Sequence, residues 1–273
     1  MTLALLLLLA QFWCPMHPDE RSDARGKCAI CGMRLVAMPP AAFATYPVDL
    51  RVTPTLTGAR LRLAITNPST PRQGSGQARV RRFAIVHERP MHLFLVGGGL
   101  DYFAHEHPAQ QRDGVFMIDV HLPKPGPYMA IAEFLPEGGT PQTFQQAFTT
   151  GEAFARPATL AVDTAPQTVD GMRVSLDASQ VVAGDTKALT FRIEDAASGA
   201  PVTDLEPYLG ASAHLLIVPA DLTEAIHGHP TEDGRGPGLS FAPLLPRPGS
   251  YKLWIQFQRS GRVSTASFAI LVP

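Results

Sequence analysis

Short stretches with apolar side chains at every second position recur along most of the chain. In the first half they lie at residues 48–53, 59–66 and 115–120, and in the second half at 172–176, 189–193 and 252–258. A period of two is typical of strands that bury one face, and turn residues separate these stretches every 8 to 12 residues or so, at about the spacing of a β-sandwich. No run has a convincing helical period. The pattern therefore predicts an all-β fold.

The same plan occurs twice. A seventeen-residue block at 92–108 returns at 214–230, which is 122 residues later, and each copy begins with a histidine and ends with His-x-His-Pro. A Pro-x-Pro-Gly-x-Tyr turn follows each block and ends at Tyr128 or Tyr251. This turn resembles the one before a late strand of immunoglobulin-like sandwiches, where the tyrosine is structural. We therefore predict two tandem immunoglobulin-like β-sandwiches, repeat 1 at 47–155 and repeat 2 at 156–273.

Composition narrows the choice of partners and location. With 45% hydrophobic residues, 17% charged residues and a formal net charge of -1, the chain has no electrostatic bias towards nucleic acid or anionic lipid. The apolar run in segment 1–12 is too short to span a bilayer, which needs about 20 residues, but it fits the h-region of a secretory signal. We expect a periplasmic or secreted protein with no stable membrane span. The alternatives are a mis-set start or a few apolar residues that dock on the next domain.

All three cysteines fall in the first 31 residues, and their spacing indicates a metal site. The pattern Cys-x2-His followed by Cys-x2-Cys forms two knuckles that can place four ligands tetrahedrally around one ion: Cys14, His17, Cys28 and Cys31. Segment 13–36 has few apolar side chains, so metal binding is expected to supply much of its folding free energy. A structural Zn(II) and a functional soft metal both fit. Met16 and Met33 beside the ligands favour Cu(I) or Ag(I).

These residues carry a family resemblance. Cys-Pro-Met-His-Pro followed by Gly-x-Cys-x-x-Cys-Gly-Met-x-Leu resembles the heavy-metal-binding domain at the ends of copper- and silver-transporting P-type ATPases and of periplasmic adaptor subunits of metal-efflux pumps. The resemblance covers 13–36 and matches all four ligands, with Trp13 where Tyr is usual and with Arg25 and Ala29 in place of prolines. It implies a small zinc-ribbon-like metal knuckle and a metal-efflux pump or P-type ATPase as a partner. A Pro-rich linker at 37–46 follows.

Each histidine block is predicted to be a hairpin that brings three imidazoles together. In the first copy a loop at 97–100 sets His92 opposite His105, with His107 on the same face. In the second copy a loop at 219–222 sets His214 opposite His227, with His229 beside it.

Three alternatives stay open for these blocks. A slip of one residue would break either cluster, and 221–226 could form a short helical turn instead of a strand. The histidines could also be hydrogen-bonded structural residues that close a loop. His87 and His121 are interpreted as structural, with a supplementary ligand role in the first domain left open.

Ligand chemistry separates the predicted sites. Histidine-only clusters suit Cu(II) or Zn(II), whereas the cysteine knuckle suits Zn(II), Cu(I) or Ag(I). The blocks resemble those of secreted, immunoglobulin-like proteins of the heavy-metal-binding or FixH-like kind, although Gly97-Gly98-Gly99 departs from the more polar loop usual there. That resemblance implies metal binding by both repeats.

The sequence thus favours a periplasmic or secreted heavy-metal-binding protein of copper or silver homeostasis or resistance. It would take up, buffer or hand on ions, with capture by the histidine clusters and exchange with the cysteine knuckle. The alternative is a zinc-stabilised structural or protein-interaction module with no transport role. No enzyme is expected, because the nucleophile, phosphate-binding and dinucleotide-binding motifs are all missing from the sequence. Redox chemistry at a three-histidine copper site stays open.

Overall fold

A computed structural model describes residues 12–14, 21–28, 34–37, 44–68, 78–151 and 160–273. Two predicted metal ligands, His17 and Cys31, lie outside these ranges, as do residues 1–11. The described part of the chain contains strands and no α-helix, so the predicted all-β fold is confirmed. It contains no helix of the length and apolarity needed to cross a membrane.

The amino-terminal segment forms a small sheet of its own. Its strands are β1 (Phe12–Trp13), β2 (Arg21–Ser22) and β3 (Val36–Ala37), in the order β2-β1-β3. Trp13 pairs with Arg21 on one side and with Val36 on the other. Cys14 therefore follows directly on the central strand of this sheet.

The first repeat contributes two four-stranded sheets, ordered β4-β5-β9-β8 and β11-β10-β6-β7. Their strands are β4 (Val48–Thr55), β5 (Gly58–Ile65), β6 (Met91–Gly97), β7 (Phe103–Glu106), β8 (Ala109–Gln110), β9 (Phe116–His121), β10 (Gly126–Phe134) and β11 (Gln142–Thr150). The ring of Phe83 meets Phe116 and Phe134 edge-on, at centroid distances of 4.9 and 6.0 Å, and so contacts one strand of each sheet.

The second repeat also contributes two four-stranded sheets, ordered β12-β13-β14-β17 and β16-β15-β18-β19. Their strands are β12 (Gln167–Val169), β13 (Met172–Asp177), β14 (Leu189–Asp195), β15 (His214–Pro219), β16 (Ile226–Gly228), β17 (Gly238–Phe241), β18 (Gly249–Arg259) and β19 (Arg262–Val272). One hydrophobic cluster joins side chains of both sheets, among them Phe191, Phe241, Leu253 and Phe268. The predicted β-sandwiches are confirmed by this architecture.

The chain divides into two compact units. One is drawn from Met1–Leu93, His105–Lys124 and Ile131–Gln146, and the other from Phe94–Ala104, Pro125–Ala130 and Ala147–Pro273. The boundary expected within 151–158 falls, apart from Gly151, outside the described residues. The domain ranges given by the sequence therefore stay a prediction.

The tyrosines of the two Pro-x-Pro-Gly-x-Tyr turns are structural, as the sequence indicated. Tyr128 and Tyr251 are 2% and 1% exposed. The glycine two residues earlier, Gly126 or Gly249, has a φ of 149° or 143°, which side-chain-bearing residues rarely adopt. The Tyr251 hydroxyl donates a 2.8 Å hydrogen bond to the carbonyl of Arg247, and so ties the end of this turn to its beginning.

Candidate metal centres

Three histidine rings of the first repeat converge on one point. Nδ1 of His92 lies 3.0 Å from Nε2 of His105 and 3.3 Å from Nε2 of His107. The three nitrogens are close enough to one another, within 4.8 Å, to hold one metal ion. His92 is buried on β6, whereas His105 and His107 are half-buried on and just after β7. We call this group the first triad.

The second repeat reproduces this arrangement atom for atom. Nδ1 of His214 lies 3.1 Å from Nε2 of His227 and 3.0 Å from Nε2 of His229. His214 is 2% exposed at the start of β15, and the other two rings are half-buried on and just after β16. This group is the second triad. In each block, the structure thus brings together the three histidines that the sequence placed there.

The register of the second hairpin, formed by β15 and β16, differs from the prediction by two residues. Leu216 pairs with His227 and Leu215 with Gly228, so that His214 lies across from His229 instead of His227. The predicted turn at 219–222 does form, closed by a hydrogen bond from the Leu222 amide to the Pro219 carbonyl, but the paired strand resumes later than expected. A shift of two residues keeps every side chain on its face, and this is why the triad survives the error.

No helical turn occupies the loop that precedes β16, so that open alternative is not realised. Asp221 instead accepts hydrogen bonds from the amide and the hydroxyl of Thr223, at 3.2 and 2.7 Å. Leu222 has a φ of 54°, and Leu100, at the same place in the first block, has a φ of 59°. The two hairpins therefore share a turn as well as their histidines.

Each block ends in a His-x-His pair, and the residue between these two histidines lies on the opposite face of the strand from them, because side chains alternate. In the first block this residue is Glu106, and burial raises the pKa of its carboxyl group. In the second block it is Gly228, which lines a cleft of about 250 Å³ together with Leu215, Phe241 and the triad residues His227 and His229. The two triads therefore differ in the residue between their last two histidines, which carries a carboxyl group in the first block and no side chain in the second.

The nitrogen spacing fits a small transition-metal ion. With a metal–nitrogen bond of about 2.0–2.1 Å, two tetrahedral ligands lie about 3.3–3.4 Å apart. The shortest spacings in the triads are 3.0–3.3 Å, so an ion of zinc or copper size requires shifts of a few tenths of an ångström. An ion with longer bonds would have to spread the rings further. Three neutral imidazoles leave a coordination position for a fourth ligand.

The cysteine knuckle is described only in part. Cys14 and Cys28 are 0% and 3% exposed and pack with Leu35 and Phe12 in a small cluster. The amide of Leu35 donates to the carbonyl of Gly26 at 2.9 Å, which folds the chain back on itself beside Cys28. The assignment of Cys14, His17, Cys28 and Cys31 as four ligands of one ion stays a prediction.

The two remaining described histidines have different surroundings. His121 is exposed on β9. His87 is 4% exposed and its ring centroid lies 6.1 Å from that of His92. His87 also has a φ of 47°, a left-handed conformation that is uncommon for a residue other than glycine.

Comparison with known families supports metal binding at the amino terminus. A family model described as "Heavy metal binding domain" matches residues 11–38, which confirms the resemblance seen at 13–36 in its coarse form. A second model, "Domain of unknown function (DUF8832)", matches residues 167–273. No curated protein matches the sequence. The FixH-like resemblance of the histidine blocks stays a prediction.

Solved structures similar to this chain include two proteins with fibronectin type III domains. A two-domain segment of chicken tenascin is 15% identical, with 83% of this chain and 99% of that chain covered and a TM-score of 0.24. The FN1–FN3 domains of chicken CNTN1 are 9% identical, with 87% and 70% covered and a TM-score of 0.22. TM-scores this low do not establish a shared fold, so the β-sandwich fold follows from the strands and sheets of this chain alone.

Proposed function

We propose that this protein is a periplasmic or secreted heavy-metal-binding protein of copper or silver homeostasis. It buffers ions or hands them to a partner such as a metal-efflux pump or a P-type ATPase. The observation that carries the proposal is the repetition of one atom set, Nδ1 of a leading histidine with Nε2 of two others, in both repeats. Histidines that only closed loops by hydrogen bonding would not need three ring nitrogens to converge in both repeats.

The proposed sites divide the ions by chemistry. The triads offer nitrogen ligands at a spacing that suits Cu(II) or Zn(II), whereas thiolates suit Cu(I), Ag(I) or Zn(II). The match of residues 11–38 to a heavy metal binding domain supports a metal role for the cysteine knuckle. One chain would then carry three sites of two kinds. The apolar run in 1–12 and the resemblance to periplasmic proteins support the proposed location.

The test is metal analysis of the full chain and three double variants. Metal-depleted protein is titrated separately with Zn(II), Cu(II) and Ag(I), and the bound ions are counted after desalting. We expect His105→Ala/His107→Ala and His227→Ala/His229→Ala each to lose one Cu(II) or Zn(II). We expect Cys28→Ser/Cys31→Ser to lose Ag(I). His121→Ala is the matched control, because this exposed histidine lies outside both triads.

Tryptophan fluorescence can report on the second triad separately. Leu216 pairs with both His227 and Trp254, so Trp254 lies one strand beyond the triad in the same sheet. The only other tryptophan is Trp13, beside Cys14. In a Trp13→Phe protein that also carries His105→Ala/His107→Ala, Cu(II) should quench the remaining emission with one equivalent, and His227→Ala/His229→Ala should abolish that step. If both histidine double variants keep the metal content and affinity of the unchanged protein, the triads are structural and the interaction-module function replaces this one.

A further inference from the structure

A tight turn precedes the leading histidine of each triad by the same distance. In the first repeat, Val86 and Arg89 exchange backbone hydrogen bonds of 3.0 and 3.1 Å across His87 and Glu88. In the second repeat, Tyr208 and Ala211 exchange hydrogen bonds of 2.8 and 3.1 Å. The first residue of each turn, Val86 or Tyr208, lies six positions before the leading histidine. The turn is thus as much a part of the repeat as the histidines are.

Both turns use left-handed backbone conformations at both central residues. The φ angles are 47° and 64° at His87 and Glu88, and 50° and 75° at Leu209 and Gly210. This is the pattern of a type I′ turn, which favours Gly, Asn and Asp at both positions. Three of the four residues are none of these. A strained conformation that persists with different side chains indicates that the backbone of the turn is what matters.

The carbonyl at the start of each turn contacts the leading histidine. The Val86 oxygen lies 3.0 Å from Nε2 of His92, and the Tyr208 oxygen lies 2.9 Å from Nε2 of His214. Each of these oxygens also accepts the amide that closes its turn, so both of its lone pairs are used. A carbonyl oxygen can only accept. The ring nitrogen Nε2 must therefore carry the hydrogen, and a neutral ring then has its lone pair on Nδ1, the atom that faces the other two histidines.

We propose that Val86 and Tyr208 are positioning residues of the two metal sites. Their carbonyls hold His92 and His214 as Nδ1 ligands before any ion arrives. This inference rests on the proposed function, because it explains how the triads are prepared for metal. A backbone carbonyl that fixes the tautomer and orientation of a metal-binding histidine is a general way to raise the affinity of a site.

The proposal also states what the other two rings do. In the metal-free protein Nδ1 of the leading histidine is an acceptor with one lone pair, so it accepts a hydrogen from Nε2 of either His105 or His107, which lie 3.0 and 3.3 Å away. To bind an ion through Nε2, the ring that donates in this way must move its hydrogen to its own Nδ1. Each imidazole keeps one hydrogen, and no net charge is lost. The leading histidine keeps its tautomer throughout, whereas the partner that donates to it changes its own.

The experiment uses the full chain, labelled with ¹⁵N and freed of metal, at a pH above the ordinary histidine pKa of about 6.5. Long-range proton–nitrogen correlation spectra of the histidine rings report which nitrogen carries the hydrogen. The informative variants are at Glu88, whose side chain is exposed and whose counterpart in the second repeat is Gly210. Glu88→Gly keeps the left-handed conformation, whereas Glu88→Pro forbids it and also forces the preceding residue out of the turn.

We expect His92 and His214 to carry the hydrogen on Nε2 in the unchanged protein and in Glu88→Gly. In Glu88→Pro, His92 should lose this tautomer and the first triad should bind Zn(II) about 10 to 100 times more weakly. The second triad serves as the control within the same molecule and should be unchanged. Hydrogen on Nδ1 of His92 in the metal-free protein, or full Zn(II) affinity at the first triad in Glu88→Pro, overturns the inference. If no triad binds metal, the proposed function fails, and the tautomer data still decide this inference.

Discussion

Among single residues, Tyr251 links a sequence motif to stability most directly. Its hydroxyl donates to the Arg247 carbonyl at 2.8 Å, and only 1% of the residue is exposed. Tyr251→Phe removes the donor and leaves that carbonyl without it, so we expect the free energy of unfolding in denaturant to fall by about 0.5–1.5 kcal/mol. Metal content should not change. A variant as stable as the parent, or one that loses metal, would contradict the structural role.

Because Tyr251 is buried, we also expect the free energy of unfolding to fall at alkaline pH. Burial, the largest cause, raises the pKa of Tyr251 above its ordinary value of about 10. The folded state therefore favours the neutral phenol. This contribution is complete below about pH 10 and is lost as the pH rises through the higher pKa of the folded protein. Unfolding curves between pH 8 and 11 should show the unchanged protein losing part of its advantage over Tyr251→Phe above pH 10.

At the scale of elements, the sequence predicted which strands exist better than how they pair. The alternating stretches at 48–53 and 59–66 became β4 and β5. In contrast, β15 is buried along its whole length, so no alternation shows which face carries His214. Its register depends on where the hairpin loop ends, and a shift of two residues leaves each side chain's face unchanged. The histidine cluster could be predicted because it needs only the face, whereas the partner of His214 needs the register.

Other elements gave a signal that period-two alternation did not capture. Asp170-Gly171 and Ser260-Gly261 lie at the hairpin turns β12–β13 and β18–β19, with φ between 49° and 76° at all four residues. Asp-Gly is among the strongest local signals of a two-residue hairpin. The turns at Val86 and Tyr208 gave no such signal, because His-Glu and Leu-Gly are not typical type I′ pairs. The positioning of His92 and His214 by backbone carbonyls is therefore the part of the site that could not be predicted from the sequence.

The edge strand β16 offers a test of the face assignment. Apart from its two chain neighbours, a side chain added at Gly228 would meet only Cδ1 of Phe241, at 3.9 Å. Alternation along the strand places it on the face opposite to His227 and His229. Gly228→Val should therefore raise the free energy of unfolding by about 0.5–1 kcal/mol, since glycine weakens a strand interior. Zn(II) affinity of the second triad should be unchanged when measured by titration.

The matched control for this change is Gly261→Val. Gly261 has a φ of 71° in the turn between β18 and β19, which a β-branched residue adopts only with strain. This variant should lose stability where Gly228→Val gains it. Loss of Zn(II) binding in Gly228→Val with an intact fold would show that the residue faces the histidines, and the face assignment would be wrong.

For the molecule as a whole, the two kinds of site differ in how much the fold depends on metal. The triads sit on strands of β-sandwiches, and the second repeat has a core of large side chains such as Phe191, Phe257 and Phe268. The described part of the cysteine knuckle buries only Cys14, Cys28, Leu35 and Val36. Phe12 packs against the cluster formed by the first three. We expect such a small cluster to need the free energy of metal binding to stay folded.

We therefore predict that Cys28→Ser/Cys31→Ser unfolds the knuckle and leaves the sandwiches intact. In a Trp254→Phe background, the emission of Trp13 should shift to longer wavelength, and amide protons of residues 12–37 should exchange within seconds. Exchange at β14 and β18 should stay as slow as in the unchanged protein. A chelator should reproduce the knuckle effect in the unchanged protein, and added Zn(II) should reverse it. Slow exchange at residues 12–37 in the double variant would mean that the knuckle folds without metal, and a structural interaction role would then fit it better than ion exchange.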